Sequence, residues 1–259
     1  MIALGGLALV DGAVTLLWQE PVSALIAKLR QDHLSGDLRR VERAQPTAAE
    51  ARTLTGIASE RRRISFLAGE LERHTRNGGA VGRIVIPRIG ASFVVVKGTG
   101  TEELESGPGI YSPRQYPGTA FPGAPSATTA IAGHRTTYLA PFRHVDSLAP
   151  GDRIQLDMPY AQLTYRVLAQ RVVSPEDVAA AIGRVGYSRL VLSACTPLFS
   201  AAKRLLVFAR LTRTVPVGAA RLLTGGLLAK PIEAPTHRPP RALPPVLESL
   251  DPHNVAPLS

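Results

Sequence analysis

Three side chains carry the chemical information in this sequence. Cys195 is the only cysteine and closes a short apolar run, Leu190 to Ala194, within RLVLSACTPLFSAAKRLLVFARL. Arg204 opens the next apolar run, Leu205 to Leu211. Both runs are rich in Val, Leu and Phe, and the turn-prone Thr196-Pro197 lies between them, which is the pattern of buried strands. If the two strands pair as neighbours, a thiol and a guanidinium lie at the same end of one sheet. The thiolate is the nucleophile in cysteine chemistry, and a nearby cation favours it. A lone cysteine is by default a small buried hydrophobe. The facing cation moves the reading toward catalysis.

A nucleophilic cysteine needs a partner for proton transfer. The best candidate lies in AIAGHRTTY, where His134 follows the apolar strand Thr129 to Ala132 and Gly133. A glycine there can take positive φ and turn the chain, leaving the imidazole at a strand end. His144, in PFRHVDSL, reads as part of one helical turn and is the weaker choice. His33 and His74 fall in a polar helical segment, and His237 and His253 in a proline-rich tail; solvation is the simpler role for all four. One cysteine excludes an internal disulfide and a thiolate-rich metal site.

TAIAGHRTTYLAPFRHVDSLAPGD, then LVLSACTP, then an arginine opening the last strand, resemble the catalytic core of the sortases. These are membrane-anchored cysteine transpeptidases of Gram-positive and actinobacterial surfaces, and the likeness is strongest to the actinobacterial class E. It runs from about Val81 to Thr214 and rests on separated motifs in the family's order. Ser193-Ala194 depart from the TT or xT commonly found before the family's cysteine, a difference that bears on the substrate groove rather than on the triad.

The resemblance implies a mainly β fold, a closed eight-stranded barrel with short rim helices. It implies that Cys195 attacks the Thr carbonyl of an LPxTG- or LAxTG-like sorting signal to give a thioacyl enzyme. An amine of a peptidoglycan precursor, or a pilin lysine, then resolves it. His134 would serve as general acid and then base, and Arg204 would stabilise the oxyanion. No metal or organic cofactor is implied. The expected partners are surface proteins bearing a C-terminal sorting signal, the amine acceptor and the membrane, with no nucleic acid. Thr196 could offer its N–H to the oxyanion or simply cap the turn. Tyr111 and Tyr138 could line the substrate groove, with ordinary packing as the simpler role.

Three other readings share parts of this pattern. The L,D-transpeptidases carry their His and Cys in one short run, whereas here 61 positions separate them. A papain-like enzyme needs a cysteine opening a helix. A catalytically silent, membrane-tethered peptide-binding module is the alternative from another class, and Cys, His and Arg retained together count against it.

These residues need elements to position them, and the composition permits a folded domain: 45% hydrophobic and 19% charged residues. A net charge of +10 suggests an anionic membrane and wall. Nucleic acid is disfavoured, because aromatics are 5%, the basic residues are scattered, and no binding motif appears. The chain divides into a membrane signal anchor (1–19), a helical juxtamembrane stalk (20–80), the catalytic domain (81–214) and a proline-rich, disordered or wall-facing tail (215–259). Residues 2–18, IALGGLALVDGAVTLLW, are slightly short of the roughly 20 needed to span and contain Asp11. No basic n-region or A-x-A site marks a cleavable signal, so an uncleaved anchor with an extracytoplasmic domain is expected, with a buried helix as the alternative. Lys28 and Arg30 follow the run with nothing basic before it, against the positive-inside rule for that orientation.

Gly36, Pro46 and Gly56 should break the stalk into two or three helical pieces. GRIVIPRIG and ASFVVVKG read as a hairpin around Pro87 and Gly90, and TEELES (Thr101 to Ser106) as a short helix with acids in its first turn. Residues 107–127 are dense in Gly and Pro and read as a functional loop or lid. Strands are expected at Thr129, at Arg153 to Leu156 and at Leu163 to Val173, and one helix from Pro175 to Ile182 with Ser174 as N-cap. Beyond Thr214, VPVGAARLLTGGLLAK is too interrupted for a second span.

Overall fold

The computed structural model describes residues 2–221, with side chains from residue 23 onward. Eight strands close into a barrel in the order β1-β2-β3-β4-β7-β8-β6-β5. They are β1 (Ala80–Ile86), β2 (Ala91–Lys97), β3 (Gly109–Ile110), β4 (Thr128–Ala132), β5 (Arg153–Met158), β6 (Ala161–Val173), β7 (Arg189–Thr196) and β8 (Lys203–Pro216). Pairing is antiparallel except between β2 and β3 and between β4 and β7. Ile84, Ile131, Leu156, Leu163, Leu192 and Val207 fill the interior, none more than 1% exposed. They come from six different strands, as closure of a small barrel by inward side chains requires. Two rim helices, α4 (Thr101–Ser106) and α5 (Val178–Ala181), complete the domain.

Two expectations for this region change in detail. The 107–127 segment is not all loop: Gly109 and Ile110 form β3, which bridges β2 and β4 and closes the barrel. A two-residue strand has no periodicity to read. The helix expected from Pro175 shrinks to the four residues of α5. Ser174 Oγ donates to the Asp177 carboxylate at 2.6 Å instead of capping a helix N-terminus.

The segment expected as a stalk contains α1 (Ile2–Arg43), α2 (Ala48–Thr55) and α3 (Glu60–His74). The breaks fall at Pro46 and Gly56, while Gly36 sits inside α1. Thr47 and Glu50 form a reciprocal capping box at the start of α2, which explains its sharp onset. α1 and α3 lie against the barrel. Leu34 and Leu38 of α1 pack on Ala80, Val94 and Val96, and Ile64 and Ala68 of α3 enter the main core. The anchor expected over residues 2–18 falls outside the residues whose side chains are described, and the tail from 222 lies outside the described residues altogether. Among the described residues no helix is long and apolar enough to cross a membrane.

Because β3 is so short, β2 is left with an unpaired edge. The amides of Val96 and Gly98 donate to Pro108 and Ile110 at 2.9 and 3.0 Å. Val94, two residues earlier, has no strand opposite on that side. Its N–H donates to Gln31 Oε1 at 2.8 Å, while Gln31 Nε2 donates to the Val94 and Ser106 carbonyls at 3.1 and 2.7 Å. A side-chain amide thus stands in for the missing strand, and α1 covers the exposed edge. Gln31→Leu, which strands a buried amide and carbonyl, is expected to cost about 1–3 kcal/mol in urea unfolding; a loss under about 0.5 kcal/mol would show that the edge does not depend on this amide.

Candidate active site

The register places the three predicted residues in a row. β4 runs parallel to β7 with Ala132 beside Ser193, and Gly133 N–H extends the ladder by donating to the Ser193 carbonyl at 3.0 Å. The next residue, His134, therefore comes beside Cys195. On the other flank β7 and β8 are antiparallel, with Cys195 directly opposite Arg204. Directly opposed residues share a face of the sheet. Gly133 is needed for a reason other than positive φ: a Cβ there would stand 2.6 Å from the ring of the fully buried Phe142.

A pocket of about 240 Å³ opens over this row, lined among others by His134, Cys195, Arg204, Tyr111, Tyr116 and Ser193. Cys195 is half-buried and unpaired. Arg204 uses Nη1 to hold the carbonyls of Ala201 and Lys203 at 2.8 and 3.1 Å. Among the described residues no carboxylate pairs with it, so its charge faces the pocket uncompensated. Tyr111 donates to Ser193 Oγ at 3.3 Å and meets Tyr116 edge-on at 4.7 Å. Burial raises its pKa, which keeps the phenol neutral. The serine that departs from the family pattern thus has a partner in the pocket wall. His144 is exposed and precedes, rather than joins, the single turn of 3-10 helix at Val145–Ser147. Among the described residues no cluster of His, Cys, Asp or Glu is arranged to hold a metal.

Thr196 and Tyr138 adjoin the pocket and have partners of their own. Thr196 Oγ1 accepts from Arg135 Nη1 at 3.4 Å. Arg135, 4% exposed, also reaches the Cys195 carbonyl at 3.5 Å and the Arg143 carbonyl at 3.4 Å, and pairs with Asp146 at 2.6 Å. It fastens the segment after His134 to the strand end that carries Cys195. Tyr138 lies 5.3 Å from the His134 ring and donates to Glu105 at 3.1 Å. It begins a run of left-handed residues, Tyr138, Leu139 and Ala140, with φ of 50°, 64° and 42°. Glu105 is held on its other oxygen by Arg30 of α1 at 2.8 Å. Arg30 and then the Tyr138 hydroxyl lower the Glu105 pKa, so it is charged at neutral pH. Sequence reasoning missed both Arg135 and Glu105. The first stands next to His134 in GHR, and the second follows the first-turn acids Glu102 and Glu103 in TEELES.

Burial lowers the His134 pKa, and the Glu105 charge pushes it back up. The neutral imidazole is favoured by desolvation, the imidazolium by the carboxylate.

A closed barrel with a thiol, an imidazole and a guanidinium around one pocket has the build of a cysteine acyl-transfer enzyme. Residues 84–212 match the family model described as Sortase domain. The chain is 29% identical to sortase D of Bacillus subtilis over 136 residues, 51% of this chain and 64% of that protein. It is 31% identical to sortase SrtE1 of Streptomyces coelicolor over 106 residues, 38% of this chain and 30% of that one. Both matches span less than two thirds of the relative's length. The crystal structure of sortase E1 from Streptomyces coelicolor with a tripeptide in its active site superposes with a TM-score of 0.51. It covers 54% of this chain and 91% of that one at 24% identity, a likeness of fold. The chain belongs to the sortase family.

Glu105→Gln removes the charge that favours the imidazolium. The His134 pKa should then fall further, so that the protonated form is lost at a lower pH as pH rises. An NMR titration of the His134 ring protons checks this, and an unchanged or raised pKa would contradict the role of Glu105.

Proposed function

We propose that this chain is a transpeptidase using Cys195, His134 and Arg204 as its catalytic groups, on sorting signals of LPxTG or LAxTG type. The supporting observation is the in-register row: His134 beside Cys195 on the parallel neighbour, and Arg204 opposite it on the antiparallel one. The Cys195 thiolate adds to the Thr carbonyl carbon, and the carbonyl π electrons move to oxygen as the C–S bond forms. Arg204 presents rigid donors of permanent charge to that oxyanion. The His134 imidazolium gives its proton to the leaving Gly nitrogen as the C–N bond breaks, leaving a thioester. An incoming amine, from a wall precursor or a pilin lysine, attacks the thioester carbonyl. Its proton passes to neutral His134, and the thiolate departs. Burial favours the neutral imidazole that takes a proton from the amine, and the Glu105 charge favours the imidazolium that gives one to the leaving nitrogen.

One variant series tests the assignment. Cys195→Ala should abolish transpeptidation of an LPxTG or LAxTG peptide with the fold retained; residual turnover would remove Cys195 from its role. Arg204→Lys keeps the charge but loses the planar fork. A loss of roughly 2–4 kcal/mol, or about 30- to 1000-fold in kcat/KM, is expected, with little change in alkylation of Cys195 by a neutral reagent. Transpeptidation within about threefold of the parent would mean that Arg204 acts only as a charge.

We also propose that the chain is held to the cell membrane by its N-terminal segment, with the barrel outside. Support comes from the apolar run at residues 2–18 and from Leu25, Ile26 and Leu29 of α1, which are 58%, 43% and 60% exposed. Protease treatment of intact cells should remove the barrel; protection equal to that of a cytosolic marker would refute this topology.

A further inference from the structure

Four neighbouring strands hold most of the chain's excess positive charge. β5, β6, β7 and β8 carry Arg153, Arg166, Arg171, Arg189, Lys203, Arg204, Arg210 and Arg213 against a single carboxylate, Asp157. The register sharpens this into a line. Arg153 is directly opposite Arg166, Arg166 is opposite Arg210, and Arg210 is opposite Arg189. Opposed residues share a face, so the four side chains leave the same side of the sheet across four consecutive strands.

The two ends of the line differ in kind. Arg189 is 8% exposed and structural: it donates to the Ala181 and Gly183 carbonyls at 2.9 and 2.7 Å and lies over the Phe208 ring. Arg153, Arg166 and Arg210 are exposed. Arg166 donates to the Gly151 carbonyl at 2.8 Å, and Arg210 lies over the Tyr187 ring at 5.0 Å. Among the described residues no ion pair involves any of them. Arg171, which also lies over the Phe208 ring, adds a further exposed cation beside them.

Like charges directly opposite one another destabilise a sheet. Folding alone therefore gives no reason for three exposed guanidinium groups in register without a carboxylate. We propose that this face binds a linear polyanion bearing repeated phosphate groups. Strands sit about 4.8 Å apart, so the exposed guanidinium groups span about 10 Å in a line that crosses the strands. Arginine's planar fork suits phosphate oxygens two at a time. A polymer is favoured over a lipid surface because of the shape of the face. The three exposed arginines stand on β5, β6 and β8, consecutive strands of a closed barrel whose outer face is convex. β5 pairs with β1, on which the helix from the apolar N-terminal run packs, and β8 lies across the barrel from β2. A flexible chain can follow that curved line from strand to strand, whereas a flat bilayer meets it only in part. This inference is independent of the catalytic reading, since none of the three exposed arginines lines the pocket over Cys195.

The test uses the full chain and long-chain inorganic polyphosphate as probe. Binding is compared for the parent, for Arg153→Gln/Arg166→Gln/Arg210→Gln, and for a charge-matched control on α1, Arg39→Gln/Arg40→Gln/Arg43→Gln. The barrel triple should weaken binding at least tenfold and reduce the slope of log K against log salt by about 2, while the control stays within about threefold. Polyphosphate should raise the Tm of the parent and leave that of the triple unchanged. Without polyphosphate the triple should melt no lower than the parent, because repulsion is relieved. Equal weakening by the control would make the effect one of net charge and overturn the proposal, as would failure of the parent to bind. Tighter capture by phosphatidylglycerol vesicles than by polyphosphate, lost in the same triple, would overturn it in favour of membrane docking.

Discussion

The whole site hangs on the register between β7 and β8. Eight successive residue pairs run without a bulge from Arg189 opposite Arg210 to Cys195 opposite Arg204 and Thr196 opposite Lys203. A slip of one residue would send every side chain of one strand to the other face, taking Cys195 or Arg204 away from the pocket. The other partner of β8 behaves differently. The β6–β8 ladder shifts register twice, near Thr164 and near Val167. Those irregularities let the long strands bend around the barrel. One extra residue lies in β6, at Leu168, and one in β8, at Thr212, beyond the end of the β7–β8 ladder, so the ladder that sets the thiol against the guanidinium stays regular.

How far this was legible in the sequence follows from how local each feature is. The β7 and β8 strands, the hairpin of β1 and β2, and the TEELES helix are each defined by a few adjacent residues, and each appears where the pattern placed it. So does the opposition of Cys195 and Arg204, because a hairpin pairs residues close in the chain. The placement of His134 could not be read that way. It depends on β4 lying parallel to β7, a pairing of segments 61 residues apart that no local pattern encodes. The resemblance to a family supplied that contact; periodicity did not.

Other features were hidden for a different reason: their side chains do a job usually given to another group. Gln31 reads as a polar residue on a helix, yet its amide completes a strand edge. Gly133 reads as a turn glycine, yet it makes room for the Phe142 ring. Arg135 reads as one more surface cation in a basic chain, yet it is buried and gathers the carbonyls of Cys195 and Arg143. In each case the residue type is compatible with an ordinary role. Only the neighbour across the fold makes it specific.

The contact between α1 and the site shows why magnitudes decide what such a residue is for. The Arg30–Glu105 pair is partly open to water, with side chains 40% and 24% exposed. Pairs of this kind contribute little to stability. Its weight lies elsewhere. Glu105 also takes the Tyr138 hydroxyl, and Tyr138 stands beside a histidine that burial is driving toward the neutral form. Next to a desolvated imidazole, a fixed carboxylate acts on the proton equilibrium itself, which a surface ion pair far from any site does not. Arg30 holds that carboxylate in place and in its charged form. Gln31, the next residue of α1, holds the helix to the edge of β2. Two adjacent residues of one helix thus tie its docking on the barrel to the electrostatics of His134, so displacing α1 would disturb the site before it disturbed the barrel.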